Sequence, residues 1–389
     1  MKNIKSLFTG ILICVVLYLA ISSAGVLFDS IKEHKEIKKD RPTQTQIEQF
    51  ELNAENKCYY YYNNLSDDKK SAYLTMYYGF LEYDESIRME IQEEDIKEIF
   101  TAVLYDNSHI FWIDYKYDYF IYEKSLAFSP QYRVNKDEIK SIQESVDNKI
   151  DDIMTVVDTL DSDYEKEKYI HDYIIENTQY DISTLNNLGD TVYSVLVSGK
   201  SICEGYSRAV QTLLDEAGID NYLVTGDSES DGEVIPHMWN VVNIDGDNYH
   251  LDVTWDDLND EFETVYFYFN VTDEYISRDH YNIEPSNNNC VSTKENYFVK
   301  ENCVVDTYKG FNYLVNQSVN ALSQGNKVEF YFNENTDYLK AVNDIEKDNG
   351  FFNYVSDVVD KSKRNFIKNM VDYSTLDKHN YLCIEFKEG

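Results

Sequence analysis

The sequence predicts an α+β fold in which one helix packs on an antiparallel sheet. A mostly helical region precedes this core, and a small α+β region follows it. Three observations predict the core. Apolar residues recur at helical spacing through residues 201–218, and beyond Asp220 the apolar period changes from 3.6 to 2. The dipeptide Asp245-Gly246 then separates two alternating segments, which is a strong signal for a hairpin.

The composition of the 389-residue chain indicates a folded protein with more than one domain. A hydrophobic content of 43% is enough for a sizeable core, and the length exceeds that of one typical domain. Lys and Arg total 35 against 71 Asp and Glu, which gives a formal net charge of −36. A charge of this sign and size argues against binding to a phosphate backbone, so we expect no nucleic-acid partner.

Residues 1–30 are predicted to be a signal or transmembrane anchor. Lys2 and Lys5 precede an uncharged apolar run at residues 7–28, which is long enough to span a bilayer as a helix. A cleaved signal peptide with small residues at 22–24 is the alternative, and we favour the uncleaved anchor. Either interpretation places the remaining chain outside the cytoplasm, as a single-pass membrane protein or as a secreted one.

The rest of the chain is predicted to comprise a stalk and three regions. We assign residues 31–50 to the stalk, 51–160 to the mostly helical N-terminal region, 161–275 to the core domain and 290–389 to the small C-terminal α+β domain. Apolar periodicity predicts helices at 66–83, 94–105, 136–160, 201–218, 311–322 and 337–345. It predicts strands at 111–113, 115–122, 222–226, 237–244, 248–255, 265–271, 327–332 and 381–386.

One further helix and one loop complete the predicted core domain. Ser162 and Glu165 have the spacing of a capping box, so a helix is expected to begin there. His171 lies on this helix, and we favour a structural role for it over a catalytic one. The acidic segment 227–233 lacks ordered ligand spacing, which favours a solvated loop over a calcium site.

The cysteines leave the redox question open and indicate no metal site. Four of them could form up to two disulfides of unspecified pairing, namely Cys58, Cys290, Cys303 and Cys383. The chain has no CxxC pair and no histidine-rich spacing of the zinc-binding kind. We therefore expect neither a metal nor a cofactor.

Cys203 is the candidate nucleophile because it should lie in the first turn of a helix. Ser201 and Glu204 have capping-box spacing, and Gly218 suits the left-handed position after the last turn. In a first turn the backbone N–H groups are unpaired and the helix dipole is positive, which stabilises a thiolate. The same N–H groups could hold an oxyanion, and Gly205 is expected to let a substrate chain approach.

His237 and Asp252 are the candidate base and its orienting residue. If Asp245-Gly246 forms a two-residue turn, His237 faces Thr254, and Asp252 is a diagonal neighbour on the same face. A carboxylate there would fix the imidazole tautomer and stabilise the imidazolium. His250 shares that face and is a weaker alternative orienter.

These motifs resemble those of the transglutaminase-like superfamily of papain-type thiol enzymes. The stretches that carry the resemblance are 170–174, 179–181, 199–206, 224–226, 237–242 and 249–256, among them Gly199-Lys200-Ser201-Ile202-Cys203-Glu204-Gly205-Tyr206 and His237-Met238-Trp239-Asn240. By this resemblance the core is papain-like, Cys203 is the nucleophile, His237 the general base and acid, and Asp252 the orienter. Residues 60–160 also resemble a segment that accompanies such domains in Gram-positive surface proteins.

The resemblance implies an extracytoplasmic, cysteine-dependent enzyme that acts on amide bonds of a peptide or protein, with cell-wall peptide as one candidate substrate. It implies a thioester at Cys203 and slightly favours hydrolysis over transfer to an amine. The alternative is a catalytically silent surface binding or scaffold protein with the same fold. The resemblance gives no position for a second oxyanion donor.

Overall fold

The computed structural model describes residues 41–54, 57–184, 188–230, 232–257, 264–324, 327–347, 351, 371–376 and 379–386. The predicted anchor at 1–30 and residues 31–40 of the predicted stalk lie outside these ranges. Within them, no helix is both long and apolar enough to cross a bilayer. The chain divides into two compact units. The first comprises residues up to 246 with 252–259 and 279–288, and the second comprises 247–251, 260–278 and everything from 289.

The helices in the described ranges vary from four to 22 residues. They are α1 (Gln44–Asn53), α2 (Tyr60–Asn64), α3 (Asp67–Glu82), α4 (Ile96–Asp106), α5 (Lys136–Val157), α6 (Asp163–Asn177), α7 (Cys203–Glu216), α8 (Val253–Asp256), α9 (Asp273–Ile276), α10 (Tyr297–Lys300), α11 (Phe311–Gln324) and α12 (Asn335–Lys347). A five-residue π-helix, Ser194–Ser198, precedes α7.

The strands belong to several small sheets. They are β1 (Ile87–Met89), β2 (Ile113–Ile121), β3 (Leu126–Tyr132), β4 (Gln179–Tyr180), β5 (Lys200–Ser201), β6 (Asn221–Ser230), β7 (Glu233–Ile244), β8 (Asp247–Leu251), β9 (His280–Glu284), β10 (Val304–Val305), β11 (Lys327–Phe332), β12 (Val371–Leu376) and β13 (Tyr381–Phe386). In the first unit β6 pairs antiparallel with β7 on one side and with β9 on the other.

The N-terminal region of the first unit is built from helices and a three-stranded sheet. The sheet has the order β1-β3-β2, and its strands are antiparallel. Its apolar core centres on α3 and α4, with Tyr73, Phe80 and Phe128 inaccessible to solvent. Burial of rings of this size is the main stabilising contribution to such a core.

The core of the first unit places α7 against the sheet, as predicted. The face of α7 that carries Tyr206, Ala209 and Leu213 is fully buried and packs towards β6 and β7. Asp245 and Gly246 have φ angles of 54° and 89°, which suits a two-residue turn of type I′, and the chain runs from there into β8. The α+β class with a helix packed on an antiparallel sheet is therefore confirmed.

The second unit contains a four-stranded sheet with the order β10-β11-β13-β12. Here β10 is parallel to β11, whereas β13 is antiparallel to both of its neighbours. The helices α11 and α12 pack on this sheet around Leu314, Phe330 and Tyr338. The α+β character of the C-terminal region is confirmed, and the predicted domain bounds stay predictions.

Two predicted segments, 265–271 and 227–233, differ from the structure. Residues 265–271 do not form a strand: residues 265–269 are buried and pack through rings such as Tyr266, which stacks on Tyr297 with centroids 3.7 Å apart. The acidic segment 227–233 is mostly strand, since β6 runs to Ser230 and β7 begins at Glu233. Strand β3 was not predicted. None of the described cysteines is in a disulfide.

Candidate active site

Cys203 is the first residue of α7, one position later than the capping box implied. The N-cap is Ile202, whose backbone is extended and whose side chain makes no cap. Ser201 lies in β5 instead, and its hydroxyl donates to the carbonyl of Gly189 at 2.8 Å. The predicted helix start at Ser201 is therefore wrong. The consequence for Cys203 is unchanged, because its N–H and the next ones in the first turn lack an intrahelical acceptor.

Glu204 does not close a capping box and instead fixes the first turn of α7 to the N-terminal region. Its carboxylate accepts from Arg208 Nε at 2.9 Å and from the hydroxyl of Tyr115 in β2. Arg208 also donates from Nη1 to the carbonyl of Leu104 at 2.8 Å. Because this arginine is almost fully buried, its charge must be paired in this way. These bonds fix the first turn of α7, which carries the thiol, to the N-terminal region.

Gly205 packs against its own fold and leaves no passage for a substrate chain, which corrects the expectation from sequence. A Cβ atom at this position would lie 2.0 Å from Ser201 Oγ and 2.7 Å from Ser194 Oγ. It would also lie 2.8 Å from the carbonyl oxygen of Gly189. Glycine is required here so that α7 can approach the segment that precedes it.

His237 connects the thiol to the carboxylate. Its Nε2 lies 2.6 Å from Asp252 Oδ2, and Cys203 is close enough for its charge to raise the pKa of His237. Because Nε2 is engaged with Asp252, the ring nitrogen left for the thiol is Nδ1. The imidazole and the carboxylate are buried, at 5% and 1% exposure, whereas Cys203 is only half-buried. The structure thus brings the three predicted residues together, and their catalytic roles stay a prediction.

Asp252 reaches His237 from the N-cap of a short helix rather than from a strand. Its Oδ1 accepts from the backbone N–H groups of Thr254 and Trp255, at 3.1 and 3.2 Å. The predicted strand at 248–255 is therefore wrong beyond Leu251, because an Asp side chain that caps two N–H groups starts a helix. With Oδ1 occupied by the cap, Oδ2 is the oxygen directed at the imidazole.

The charges of this pair stabilise each other. Burial alone would lower the pKa of His237, but the charge of Asp252 and its hydrogen bond outweigh burial and raise that pKa to about 10. Burial would raise the pKa of Asp252, and the charge of His237 with hydrogen bonds from His237 and His280 holds it well below its usual range. The site therefore favours an imidazolium beside a carboxylate.

A second histidine at the site was missed by the sequence analysis. His280, the first residue of β9, has its Nε2 3.1 Å from Asp252 Oδ2 and its Nδ1 2.7 Å from Asp279 Oδ1. It lies between residues 275 and 290, to which the sequence analysis assigned no element. The Asp279-His280 dipeptide was the one local signal, and it carries no spacing to Cys203 or Asp252 that would single it out.

Two tryptophans enclose the pair of histidines. The ring of Trp239 stacks on His237 with centroids 5.8 Å apart and meets His280 at 5.0 Å. The ring of Trp255 lies 4.7 Å from His280 and 6.0 Å from His237. Apolar walls on both sides of the imidazoles exclude water and strengthen their interactions with Asp252.

The same three residues are also close enough to hold a metal ion. Ligand atoms of His237, Asp252 and His280 all lie within 4.8 Å of one another. Both Nε2 atoms converge on one carboxylate oxygen at hydrogen-bonding distances, however. We therefore describe the cluster as a hydrogen-bonded network.

Two other histidines named by the sequence lie elsewhere. His250 is not an orienter of His237, because its Nε2 faces Asp273 Oδ1 at 2.9 Å in the second unit. His171 is fully buried between Asp172, 2.9 Å from its Nδ1, and Asp256, 3.1 Å from its Nε2. Burial opposes a charge on His171, but these carboxylates raise its pKa. It links α6 to α8, in keeping with the structural role we favoured.

Part of this chain is similar to solved structures of a TGase and of two proposed proteases. The chain is similar to a TGase crystal structure (15% identity, 46% of this chain and 53% of the other, TM-score 0.27). It is also similar to a proposed cysteine protease from Cytophaga hutchinsonii (13%, 36% and 61%, 0.26) and a proposed protease from Parabacteroides distasonis (11%, 35% and 35%, 0.23). The chain thus spans less than two thirds of each, and no curated protein matches it.

The family comparison covers the segment in which α7, His237 and Asp252 lie. Residues 153–253 match the model of the transglutaminase-like superfamily. The TM-scores above are all below 0.5, so the assignment depends on this match and on the site geometry. Residues 153–253 of this chain are a transglutaminase-like domain.

Proposed function

We propose that this protein is a cysteine-dependent enzyme that cleaves or exchanges an amide bond of a peptide or protein through a thioester at Cys203. The observation that carries the proposal is the position of the His237 ring, which bonds the Asp252 carboxylate and lies close enough to Cys203 for the charge of that thiolate to raise the pKa of the imidazole. A base held in one tautomer next to a thiol is what nucleophilic catalysis by cysteine requires.

The residues would act in the following sequence. The Cys203 sulfur attacks the amide carbon while His237 holds the thiol proton as an imidazolium, and Asp252 stabilises that charge. The first-turn N–H groups of α7 donate to the oxyanion. The C–N bond then breaks as His237 gives its proton to the departing amine. Water or a second amine, deprotonated by His237, attacks the thioester carbon and restores the thiol.

Several parts of this proposal go beyond the fold. We favour hydrolysis slightly over transfer, because bacterial members of the superfamily are often taken to be peptidases. Action outside the cytoplasm, attachment to a membrane and a cell-wall peptide as substrate are proposals that depend on the sequence alone. A catalytically silent binding protein with the same fold is the rival, and the tests below separate the two.

The direct test is alkylation of Cys203 with iodoacetamide. We expect the unmodified chain to be labelled at this thiol well below pH 8, where a free cysteine is mostly protonated and reacts slowly. The His237→Ala protein should not be labelled at that pH. Asn243→Ala, near the other end of β7, is the matched control and should be labelled like the unmodified chain. Equal labelling of the His237→Ala protein would rule out an activated thiol.

A second experiment separates the reaction types. The chain is incubated with a candidate peptide, once alone and once with a fluorescent primary amine. New peptide termini indicate hydrolysis, and fluorescence on the peptide indicates transfer. Both products should disappear in Cys203→Ala. If Cys203→Ala keeps full function in cells, the silent binding protein is the correct description.

A further inference from the structure

We propose that His250, Asp273 and Cys290 form a zinc site in the second unit, separate from the residues that surround Cys203. One ligand atom of each residue, an imidazole nitrogen, a carboxylate oxygen and the sulfur, lies within 4.8 Å of the others. His250 Nε2 is 2.9 Å from Asp273 Oδ1, and the backbone N–H of Cys290 donates to the other oxygen of the same carboxylate. All three belong to the second unit.

The donor set selects the type of metal. A thiolate with an imidazole is a soft to borderline pair that suits Zn²⁺, whereas Ca²⁺ and Mg²⁺ prefer oxygen donors only. Zinc binds sulfur at about 2.3 Å and nitrogen or oxygen at about 2.0–2.2 Å, so neighbouring ligand atoms need to be only about 3–4 Å apart. The ligand atoms lie within 4.8 Å of one another, and the ion would replace the hydrogen bond between His250 Nε2 and Asp273 Oδ1, with loss of the imidazole and thiol protons.

The exposure of the three residues indicates where a fourth ligand would bind. The side chains of His250 and Cys290 are buried, but the side chain of Asp273 is 45% exposed. Water or a ligand atom from solution can therefore complete a tetrahedron on the side of Asp273. Three protein ligands with one open position are typical of accessible zinc sites rather than closed structural ones.

The backbone holds the three segments together independently of any metal. The N–H and carbonyl of His250 both pair with Val271 at 2.9 Å. The N–H of Asp273 donates to the Cys290 carbonyl at 2.8 Å, and the N–H of Cys290 donates to Asp273 Oδ2 at 3.0 Å. These bonds hold the ligands close before a metal arrives, which reduces the entropic cost of binding.

A zinc ion bound at His250 would also restrict the chain next to Asp252. His250 precedes Asp252 by two residues, so a metal here would fix the end of β8 directly before the residue that caps α8. The proposal itself does not depend on any activity of Cys203, and it is tested without measuring one.

The experiment measures zinc on the full-length chain. Cys203→Ala serves as the parent, because it removes the thiol of the other cluster. After removal of metals with a chelator and dialysis against zinc, mass spectrometry should find about one ion per chain. Cobalt(II) in place of zinc should give a charge-transfer absorption band that arises from the bond between the Cys290 sulfur and the metal. Calcium and magnesium should not compete.

Variants of the parent test the assignment of ligands. Cys290→Ser and His250→Gln should lose most of the bound zinc and the cobalt band, and Asp273→Asn should bind more weakly while it keeps the shape of the side chain. Cys303→Ser, a second thiol of the same unit, and His280→Gln, at the other cluster, should retain one ion. Circular dichroism checks that each variant is folded.

Two results would overturn the proposal. One is a parent that retains no zinc and shows no rise in its unfolding temperature when zinc replaces the chelator. The other is zinc that stays in Cys290→Ser and His250→Gln but leaves in His280→Gln, which would place the ion at the histidine pair of the first unit.

Discussion

His237 and His280 direct their Nε2 atoms at the same oxygen of Asp252, at 2.6 and 3.1 Å. An ionised carboxylate can only accept hydrogen bonds, so each of these nitrogens carries its proton. One proton of His237 is thereby fixed on Nε2, and Nδ1 is the nitrogen that can exchange a proton with the thiol of Cys203. His280 is itself held by Asp279 at 2.7 Å, so the carboxylate is positioned from two sides.

His280 should therefore act as a positioning residue, which gives the first prediction. We expect His280→Ala to lower kcat roughly tenfold or more with KM unchanged, because the charged carboxylate of Asp252 loses one of its hydrogen bonds. His280→Gln should recover part of the rate, since its amide can donate to the same oxygen. Steady-state kinetics on a peptide substrate measures both. Equal losses in the two variants would indicate a packing effect of the ring.

The second prediction concerns Asp252 itself. Asp252→Asn keeps an oxygen that can cap α8 but no longer stabilises the charge on His237, so turnover should fall by roughly 10³–10⁴-fold. The unfolding temperature should fall as well, because the buried charge pair with His237 is lost although the cap is retained, so turnover is compared at a temperature at which both proteins are folded. Asp172→Asn is the matched control: it takes a carboxylate from the buried His171 and should leave turnover close to that of the unmodified chain. Similar losses in both variants would contradict the assignment.

The sequence predicted that Cys203, His237 and Asp252 come together because these residues lie near elements with strong local patterns. The apolar face of α7 and the Asp245-Gly246 turn are both evident in the sequence. The first fixes the position of Cys203 relative to its helix, and the second fixes the register of His237. The prediction that Asp252 reaches His237 from within a strand was wrong. A capping aspartate and an alternating strand residue look alike until the chain after Leu251 is seen to turn into α8.

What the sequence could not supply comes from contacts between distant segments. His280 meets Asp252 only because β9 returns to pair with β6, and no local period indicates that pairing. Gly205 was interpreted as open space for a substrate, whereas it marks contact with Gly189. Both errors concern tertiary neighbours, which periodicity and motif spacing do not encode.

The third prediction assigns a second oxyanion donor. Tyr180 pairs in β4 with Ser201, two residues before Cys203, and burial together with the charges of Cys203 and Asp252 raises its pKa to about 12. Its hydroxyl thus keeps its proton at neutral pH and can donate it to an oxyanion. Tyr180→Phe should lower kcat by roughly 10²-fold with little change in KM. Tyr173→Phe, on α6, serves as the control, and an unchanged kcat for Tyr180→Phe would remove this tyrosine from the mechanism.

The fourth prediction concerns Gly205. The added methyl of Gly205→Ala would overlap Ser201 Oγ and the Gly189 carbonyl, so the variant should lose about 1–3 kcal/mol of unfolding free energy. Labelling of Cys203 should slow as well, because the first turn of α7 must shift. Denaturant titration measures the stability. Ala209→Gly, on the buried face of the same helix, is a control that loses helix propensity and a packed methyl group without any overlap, with an expected loss of about 1–2 kcal/mol and normal labelling. Full stability of Gly205→Ala would show that the close packing is relaxed in solution.

The last prediction is the pH dependence that follows from His237. Its folded pKa of about 10 lies above its ordinary value of 6.5, so its charged form stabilises the fold fully below pH 6.5, and that contribution is lost as the pH rises through about 10. The unfolding free energy of the unmodified chain should exceed that of His237→Gln most at low pH, and the difference should shrink towards pH 10.

Activity should follow the same proton. Release of the amine needs a protonated His237, so turnover should fall along an alkaline limb near pH 10, while iodoacetamide still reacts with the Cys203 thiolate there. In Asp252→Asn the limb should move to lower pH, because the carboxylate that retains the proton is gone. Turnover and labelling that decline together at the same pH would instead indicate unfolding, which circular dichroism at each pH detects. An alkaline limb that stays in place in Asp252→Asn would show that His237 is not the group that titrates.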